Sequence, residues 1–257
     1  MTTETQDTFI SHLIELRTRL IRSIIAVLII FLGLVNWARD IYSLLAQPML
    51  AALPQGGQMI ATDVAGAFFV PMKVTLMLAF LIALPYVLYQ AWSFVAPGLY
   101  ARERKLTAPL IVASVVLFFT GMTFAFFVVF PTVFGFVNKF APEGVAVMTD
   151  IDKYLTFVLT TFLAFGVTFE VPVVVIVLVK TGLVSIAKLK EIRPYVVVGA
   201  FVVGAVFTPP DILSQFLLAL PLCLLYEAGI LVAKFITKPE PTKADSQALS
   251  KPDSGSR

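Results

Sequence analysis

The chain has 257 residues, of which 59% are hydrophobic and only 35 are charged, 19 basic and 16 acidic. That is 14% charged, against about 25% in ordinary soluble domains, and with a mean hydropathy of +0.93 and 23 phenylalanines the apolar surface exceeds what one aqueous core can bury. A water-soluble globular domain is excluded, and the single Cys223 and single His12 exclude an internal disulfide, a cysteine metal cluster and a multi-histidine site.

Long unbroken apolar runs, rather than ten-residue alternating segments, predict an all-α membrane protein and not a β-barrel. At the N-terminus Phe9, Leu13, Leu16 and Leu20 recur at helical spacing, and His12, Glu15, Arg19 and Arg22 recur on another face. This predicts an amphipathic interfacial helix, with Glu15 paired to Arg19 at i,i+4 and His12 solvated. The first span is expected over 20–38; Val35, Asn36 and Trp37 follow it with no small-x-small cleavage site, so it reads as a retained anchor. The segment from Ile41 to Met72, which contains Gln47-Pro48 and Leu53-Pro-Gln-Gly-Gly57, is long enough to cap the mouth of a bundle.

The second span is expected over 74–93. After it, Pro97-Gly98 predicts a turn, and Glu103 sits among Arg102, Arg104 and Lys105 as at a neutralised helix start. The third span, over 108–131, is followed by a fourth over 154–179 that is interrupted only by Glu170. An ionised carboxylate in mid-span costs about 2.5 to 3.5 kcal/mol on insertion scales, so Glu170 should face protein or water. It suits a proton relay or a hydrogen bond to another helix, and the blander expectation is a neutral acid held by a hydroxyl such as Thr168.

The fifth and sixth spans, 194–209 and 213–233, are short. About 16 residues reach only about 24 Å, and Thr208-Pro209-Pro210-Asp211 leaves almost no loop between them. Either the hairpin thins the bilayer locally or tilt and snorkelling absorb the mismatch. Glu227 is expected to snorkel. Pro85, Pro109, Pro131, Pro172 and Pro221 each remove a helical hydrogen bond, and the resulting kinks would curve the bundle into a concave shape. Residues 1–237 thus form one six-span domain, and 238–257, rich in Pro, Ser, Lys and Asp, read as a disordered tail. The two halves show no repeat.

Sorting Lys and Arg by loop orients the chain. Fifteen lie on the side of the N-terminus, of the loops carrying Arg102 and Lys188, and of the tail, against four on the other side: Arg39, Lys73, Lys139 and Lys153. Both termini are therefore expected in the cytoplasm, and the net charge of +3 reports orientation rather than nucleic-acid binding. No nucleophile–base pair, P-loop or metal motif is present, so a non-catalytic protein without a cofactor is expected.

Four motifs, His12-Leu-Ile-Glu15-Leu-Arg17-Thr-Arg19-Leu, Phe94-x-x-Pro97-Gly-Leu-Tyr-x-x-Glu103-Arg, Phe165-Gly166-x-x-Phe169-Glu170-x-Pro172, and Arg193-Pro-Tyr195 with Thr208-Pro-Pro-Asp211, closely resemble the TatC family, the large subunit of twin-arginine protein translocases. The resemblance covers about residues 9 to 235. It implies a receptor in the bacterial inner membrane for folded cargo whose signal peptides carry paired arginines, exported with the proton-motive force. It implies that Glu15 and Glu103 bind those arginines, supported by Arg17 and Phe94; two guanidiniums suit two carboxylates in bidentate geometry. It further implies that Glu170 faces a concave intramembrane cavity and that single-span TatA-type and TatB-type subunits dock at Thr208 and Gln215. Pro48 and Asp211 match outer-face positions needed for assembly, and self-association in a larger complex is expected. The competing readings are a secondary transporter with Glu170 as its proton site and a purely structural scaffold. A carrier gives no reason for carboxylates among arginines at Glu15 and Glu103.

Overall fold

A computed structural model describes residues 2–51, 60–63, 65–95, 104–133, 150–207 and 212–236, with side chains except at 2–9, 45–51, 67 and 104–107. Glu103, Thr208, Asp211 and the tail expected over 238–257 lie outside the described residues, as does the side chain of Pro48. Regular structure among the described residues is helical, apart from one bridge between Ile60 and Asp150.

Helix α1 (Thr2–Leu34) runs unbroken for 33 residues, about 50 Å, because no Pro or Gly occurs in it before Gly33. The amphipathic stretch and the first span are therefore one helix, not an interfacial helix joined to a separate span. A 3-10 turn, Val35–Trp37, leads into α2 (Ala38–Ala51). Helix α3 (Gly66–Val95) is the central element and packs against α1, α2 and the next two spans. Helix α4 (Arg104–Phe124) passes into a π-helical segment, Ala125–Val129, where the Phe130 N–H reaches back five residues to the Ala125 carbonyl. The cause is close by, since Pro131 has no N–H to offer the Phe127 carbonyl.

The fourth span is two helices in succession, α5 (Ile151–Phe169) and α6 (Val171–Lys180), broken at Glu170, two residues before Pro172. Gly182, at φ +73°, lies just beyond the end of α6 in the left-handed conformation that favours glycine. A short α7 (Ile186–Glu191), whose N-cap Ser185 Oγ accepts the Lys188 N–H, precedes α8 (Arg193–Phe207) and α9 (Ile212–Ile236). Of the five prolines expected to kink spans, Pro131 and Pro172 coincide with breaks in the α-helical pattern, whereas α3, α4 and α9 continue through Pro85, Pro109 and Pro221.

Among the described residues five helical stretches are long and apolar enough to cross a membrane: Ile10–Leu44, Phe68–Val95, Ala108–Val133, Ile151–Lys180 and Ile212–Ile236. The sixth crossing is the shorter α8, whose 15 residues reach about 22 Å. Helix α9 is not short in itself, at 25 residues; the short part is its apolar run from Ile212 to Glu227, which matches α8 in length.

Small residues decide the close crossings. A Cβ on Gly121 of α4 would lie 2.4 Å from the Phe165 carbonyl of α5, and one on Gly166 would lie 2.5 Å from the Phe118 ring of α4. Helices α6 and α9 approach at Gly229, where a Cβ would lie 2.9 Å from the Pro172 Cα. In the α5–α6 span 61% of the most apolar stretch is buried, whereas in the first span none is. The first span is thus held at the edge of a curved bundle, leaning on α3 with its other side left for lipid. An apolar groove of about 650 Å³ opens between α1, α3 and α5, lined by Ile24, Val27, Leu76, Phe80, Leu159 and Leu163.

At the end of the bundle remote from the N-terminus, Asp150 caps α5 by accepting the N–H groups of Asp152 and Lys153 at 2.9 and 3.0 Å. Its second oxygen accepts the Thr62 N–H at 3.0 Å and the Thr62 hydroxyl. Lys73 of α3 adds an ion pair to Asp152 at 2.6 Å. Together these tie the segment ahead of α3 to the start of α5.

Candidate functional site

The first cluster forms where α1 crosses the C-terminal end of α3. Turn-by-turn spacing sets Glu15 and Arg19 on one face of α1, and the Arg19 Nε–H and Nη2–H both donate to Glu15 Oε1, at 2.9 and 2.6 Å. The i,i+4 pair expected from periodicity is formed. What periodicity does not reveal is the third bond, from Arg19 Nη1 to Gln90 Oε1 of α3 at 3.2 Å. Gln90 is buried at 4% exposure, and its Nε2 donates to the Tyr86 hydroxyl at 2.7 Å, which leaves the amide oxygen turned toward the guanidinium.

Phe94 lies one turn beyond Gln90. Its ring stacks on the His12 imidazole with centroids 4.2 Å apart and planes 20° apart. His12 is thus packed on an aromatic face and not simply solvated, because α1 leans on α3 along this stretch. The structure brings Glu15 and Phe94 to the same α1–α3 junction. Arg17 is not brought in; two positions from Glu15, it projects from the opposite side of α1 and is exposed. Tyr86, Gln90 and Phe94, at four-residue spacing on an otherwise apolar helix, are the signal that would have drawn attention to Gln90.

The second cluster surrounds Glu170. The break between α5 and α6 sets this residue at the junction of the two helices, 8% exposed, with both carboxyl oxygens unpaired. Thr168, the hydroxyl expected to hold it, does not; two residues back, it projects from the other side of the helix. The hydroxyl that faces the carboxyl is Ser114 of α4, without the geometry of a formed hydrogen bond. Ser114 is itself fully buried and accepts the Trp92 indole N–H at 2.9 Å. Trp92 and Ser114 had no place in the sequence-based expectations.

The third cluster lies on the α8–α9 hairpin. Gln215 is partly buried near the start of α9, and its backbone approaches Gly204 of α8 so closely that a Cβ on the glycine would lie 3.3 Å from the Gln215 carbonyl. At the opposite end of the hairpin, Arg193 Nη2 donates to Glu227 Oε2 at 2.5 Å, so Glu227 is paired rather than merely snorkelling. Pro48 falls within α2. Among the described residues no group of three His, Cys, Asp or Glu side chains is placed to hold a metal.

The family model for TatC, the Sec-independent protein translocase protein, matches residues 11–221. The Sec-independent protein translocase protein TatC of Azotobacter chroococcum mcd 1 is 54% identical over 237 residues, 92% of this chain and 93% of that protein. The protein of the same name from Escherichia coli (strain K12) is 54% identical over 235 residues, 91% of each chain. The fold is similar to a crystal structure of the twin-arginine translocase receptor TatC, with a TM-score of 0.77 and 39% identity, over 88% of this chain and 100% of that one.

Proposed function

The chain belongs to the TatC family of Sec-independent protein translocase proteins, multi-pass transport components rather than catalytic enzymes, and from that membership we propose that it is the receptor and core subunit of a twin-arginine translocase. It binds the twin-arginine signal peptides of folded cargo on the cytoplasmic face. Glu15 and Glu103 receive the two arginines and Phe94 supports them, while Arg17, on the other side of α1, is assigned a supporting part by the family resemblance alone. The observation that carries this reading is the α1–α3 junction, where the Glu15 carboxylate already holds a guanidinium beside the stacked His12 and Phe94 rings. A planar fork of N–H donors is what that carboxylate is built to accept.

The distribution of Lys and Arg supports an orientation with both termini in the cytoplasm of the bacterial inner membrane. Single-span TatA-type and TatB-type subunits dock at the end of the fifth-to-sixth-span hairpin that carries Thr208 and Gln215, where a hydroxyl and an amide can bond a polar residue of a partner helix. Glu170 supplies a polar point inside the membrane, and Pro48 and Asp211 serve assembly on the outer face.

The deciding experiment places a photoreactive group at position 103 and illuminates membranes in the presence of a twin-arginine signal peptide. Crosslinks are expected, and replacing the peptide arginines with lysines is expected to remove most of them. Crosslinks indifferent to that replacement would overturn the reading.

A further inference from the structure

Arg19 is the only cation described as seated on Glu15, and its third bond leaves the α1 helix altogether. Two oxygens from different helices, Glu15 Oε1 and Gln90 Oε1, lie around one guanidinium at 2.6 to 3.2 Å. The carboxylate supplies charge. The amide supplies direction, because its nitrogen donates to the Tyr86 hydroxyl at 2.7 Å and exchanging nitrogen and oxygen would turn an N–H against the guanidinium, which has no acceptor to offer it. Gln90 is buried at this position, and both ends of its amide are bonded, as is the rule for most buried polar groups.

We propose that the Glu15–Gln90 oxygen pair is the docking position for one arginine of the signal peptide, that Arg19 occupies it as an internal stand-in until the peptide arrives, and that Gln90 is a residue that makes the position prefer arginine to lysine. The inference rests on the proposed receptor function and adds Gln90 and Arg19 to it. A guanidinium is planar and can direct separate N–H groups to two acceptors on different helices. An ammonium is a compact point charge whose donors are not set in a planar fork, so it gains less from a second acceptor on another helix. Exchange is feasible because the Glu15–Arg19 pair is only partly buried, with side-chain exposures of 39% and 23%, and such pairs hold weakly. The His12–Phe94 stack lies about one turn along both helices from the pair.

The test measures affinity of the full chain in detergent for a twin-arginine peptide and for its twin-lysine analogue. Arg19→Gln removes the stand-in and is expected to tighten the twin-arginine peptide by about twofold to fivefold, the size of the contact it frees. Gln90→Leu is expected to weaken that peptide and to narrow its advantage over the lysine analogue. Arg19→Lys keeps a cation for Glu15 without the bond to Gln90 and is expected to give a smaller gain; if Arg19→Gln fails to fold, this variant decides alone, with unchanged or weaker binding counting against the proposal.

Weaker binding in both Arg19 variants would make Arg19 a support for Glu15 and overturn the inference, as would an unchanged arginine-to-lysine preference in Gln90→Leu. Glu15→Gln separates the two levels of the argument. If it leaves twin-arginine binding intact, the receptor role of Glu15 fails; if it weakens binding while the Arg19 and Gln90 variants change nothing, only the present inference fails.

Discussion

Arg193 and Glu227 stand 34 residues apart in sequence and meet at 2.5 Å, closing α8 and α9 at the end opposite their connection. The pair sets the apolar length of the hairpin: from Arg193 to Phe207 on one arm and from Ile212 to Glu227 on the other, each about 22 Å. Both side chains are about half exposed, so the bond itself contributes roughly 0 to 1 kcal/mol. Its larger effect is on register. Glu227→Arg alone is expected to lower the thermal midpoint in detergent slightly, and Arg193→Glu combined with Glu227→Arg is expected to restore it. A double variant worse than both singles would show that the pair does not link the arms.

The tight crossing of α4 and α5 makes a stronger demand. Gly166→Ala would place a methyl group 2.5 Å from the Phe118 ring, and that ring is itself fully buried, with little room to turn away. Overpacking of this kind costs about 1 to 3 kcal/mol. The variant is expected to unfold at lower temperature in detergent, and Gly166→Ala with Phe118→Leu is expected to recover part of the loss. An unchanged midpoint for the single variant would mean that the helices separate freely here.

The six crossings were legible because charges are so few that their positions delimit the spans, and Glu15–Arg19 was legible because i,i+4 pairing is local. Contacts between helices were not. His12 on Phe94, Arg19 on Gln90 and Trp92 on Ser114 depend on how α1, α3 and α4 lean together, and no single-helix periodicity encodes that. The break at Glu170 lies between these cases. Pro172 announced a lost hydrogen bond, but whether a span bends, breaks or runs on depends on its neighbours, as the intact passage of α3 through Pro85 and of α9 through Pro221 illustrates.

Asp150 gives a prediction in pH. Its carboxylate accepts the Thr62 hydroxyl and the N–H groups of Lys153, Thr62 and Asp152, and these bonds lower its pKa from 3.8 to about 2. Because the folded value lies below the unfolded one, the stabilisation is complete above about pH 4 and is lost as pH falls toward 2. Amide exchange at Thr62, Asp152 and Lys153 is expected to accelerate, relative to amides deep in the span, over that window. Asp150→Asn should remove the pH step, and a step that persists in the variant would assign it to another group.

Glu170 tests whether its environment needs a hydrogen-bonding side chain or a proton carrier. Ser114 faces the carboxyl and Trp92 holds Ser114, so the site is shaped for a neutral polar side chain with an oxygen at that point. Glu170→Gln keeps that oxygen and is expected to preserve most cargo export, whereas Glu170→Ala is expected to reduce it. Export lost equally in both variants would favour proton transfer, and export intact in both would leave the residue without a part in transport.

The two glutamates assigned to arginine binding act from α1 and from the position 103 segment. Either one alone offers a single carboxylate to a pair of guanidiniums, so Glu15→Ala and Glu103→Ala are each expected to weaken signal-peptide binding, and the double variant more than either. Loss of a charge-assisted bond to a partly exposed arginine is worth up to about 1 kcal/mol, about twofold to fivefold in affinity. The loss from Glu15→Ala should be the smaller of the two, because removing that carboxylate also removes the contact with Arg19 that the peptide has to displace. Peptides with one arginine replaced should lose less against the single variants than the intact peptide does, since the missing partners coincide. Unchanged binding in the double variant would remove both residues from the site.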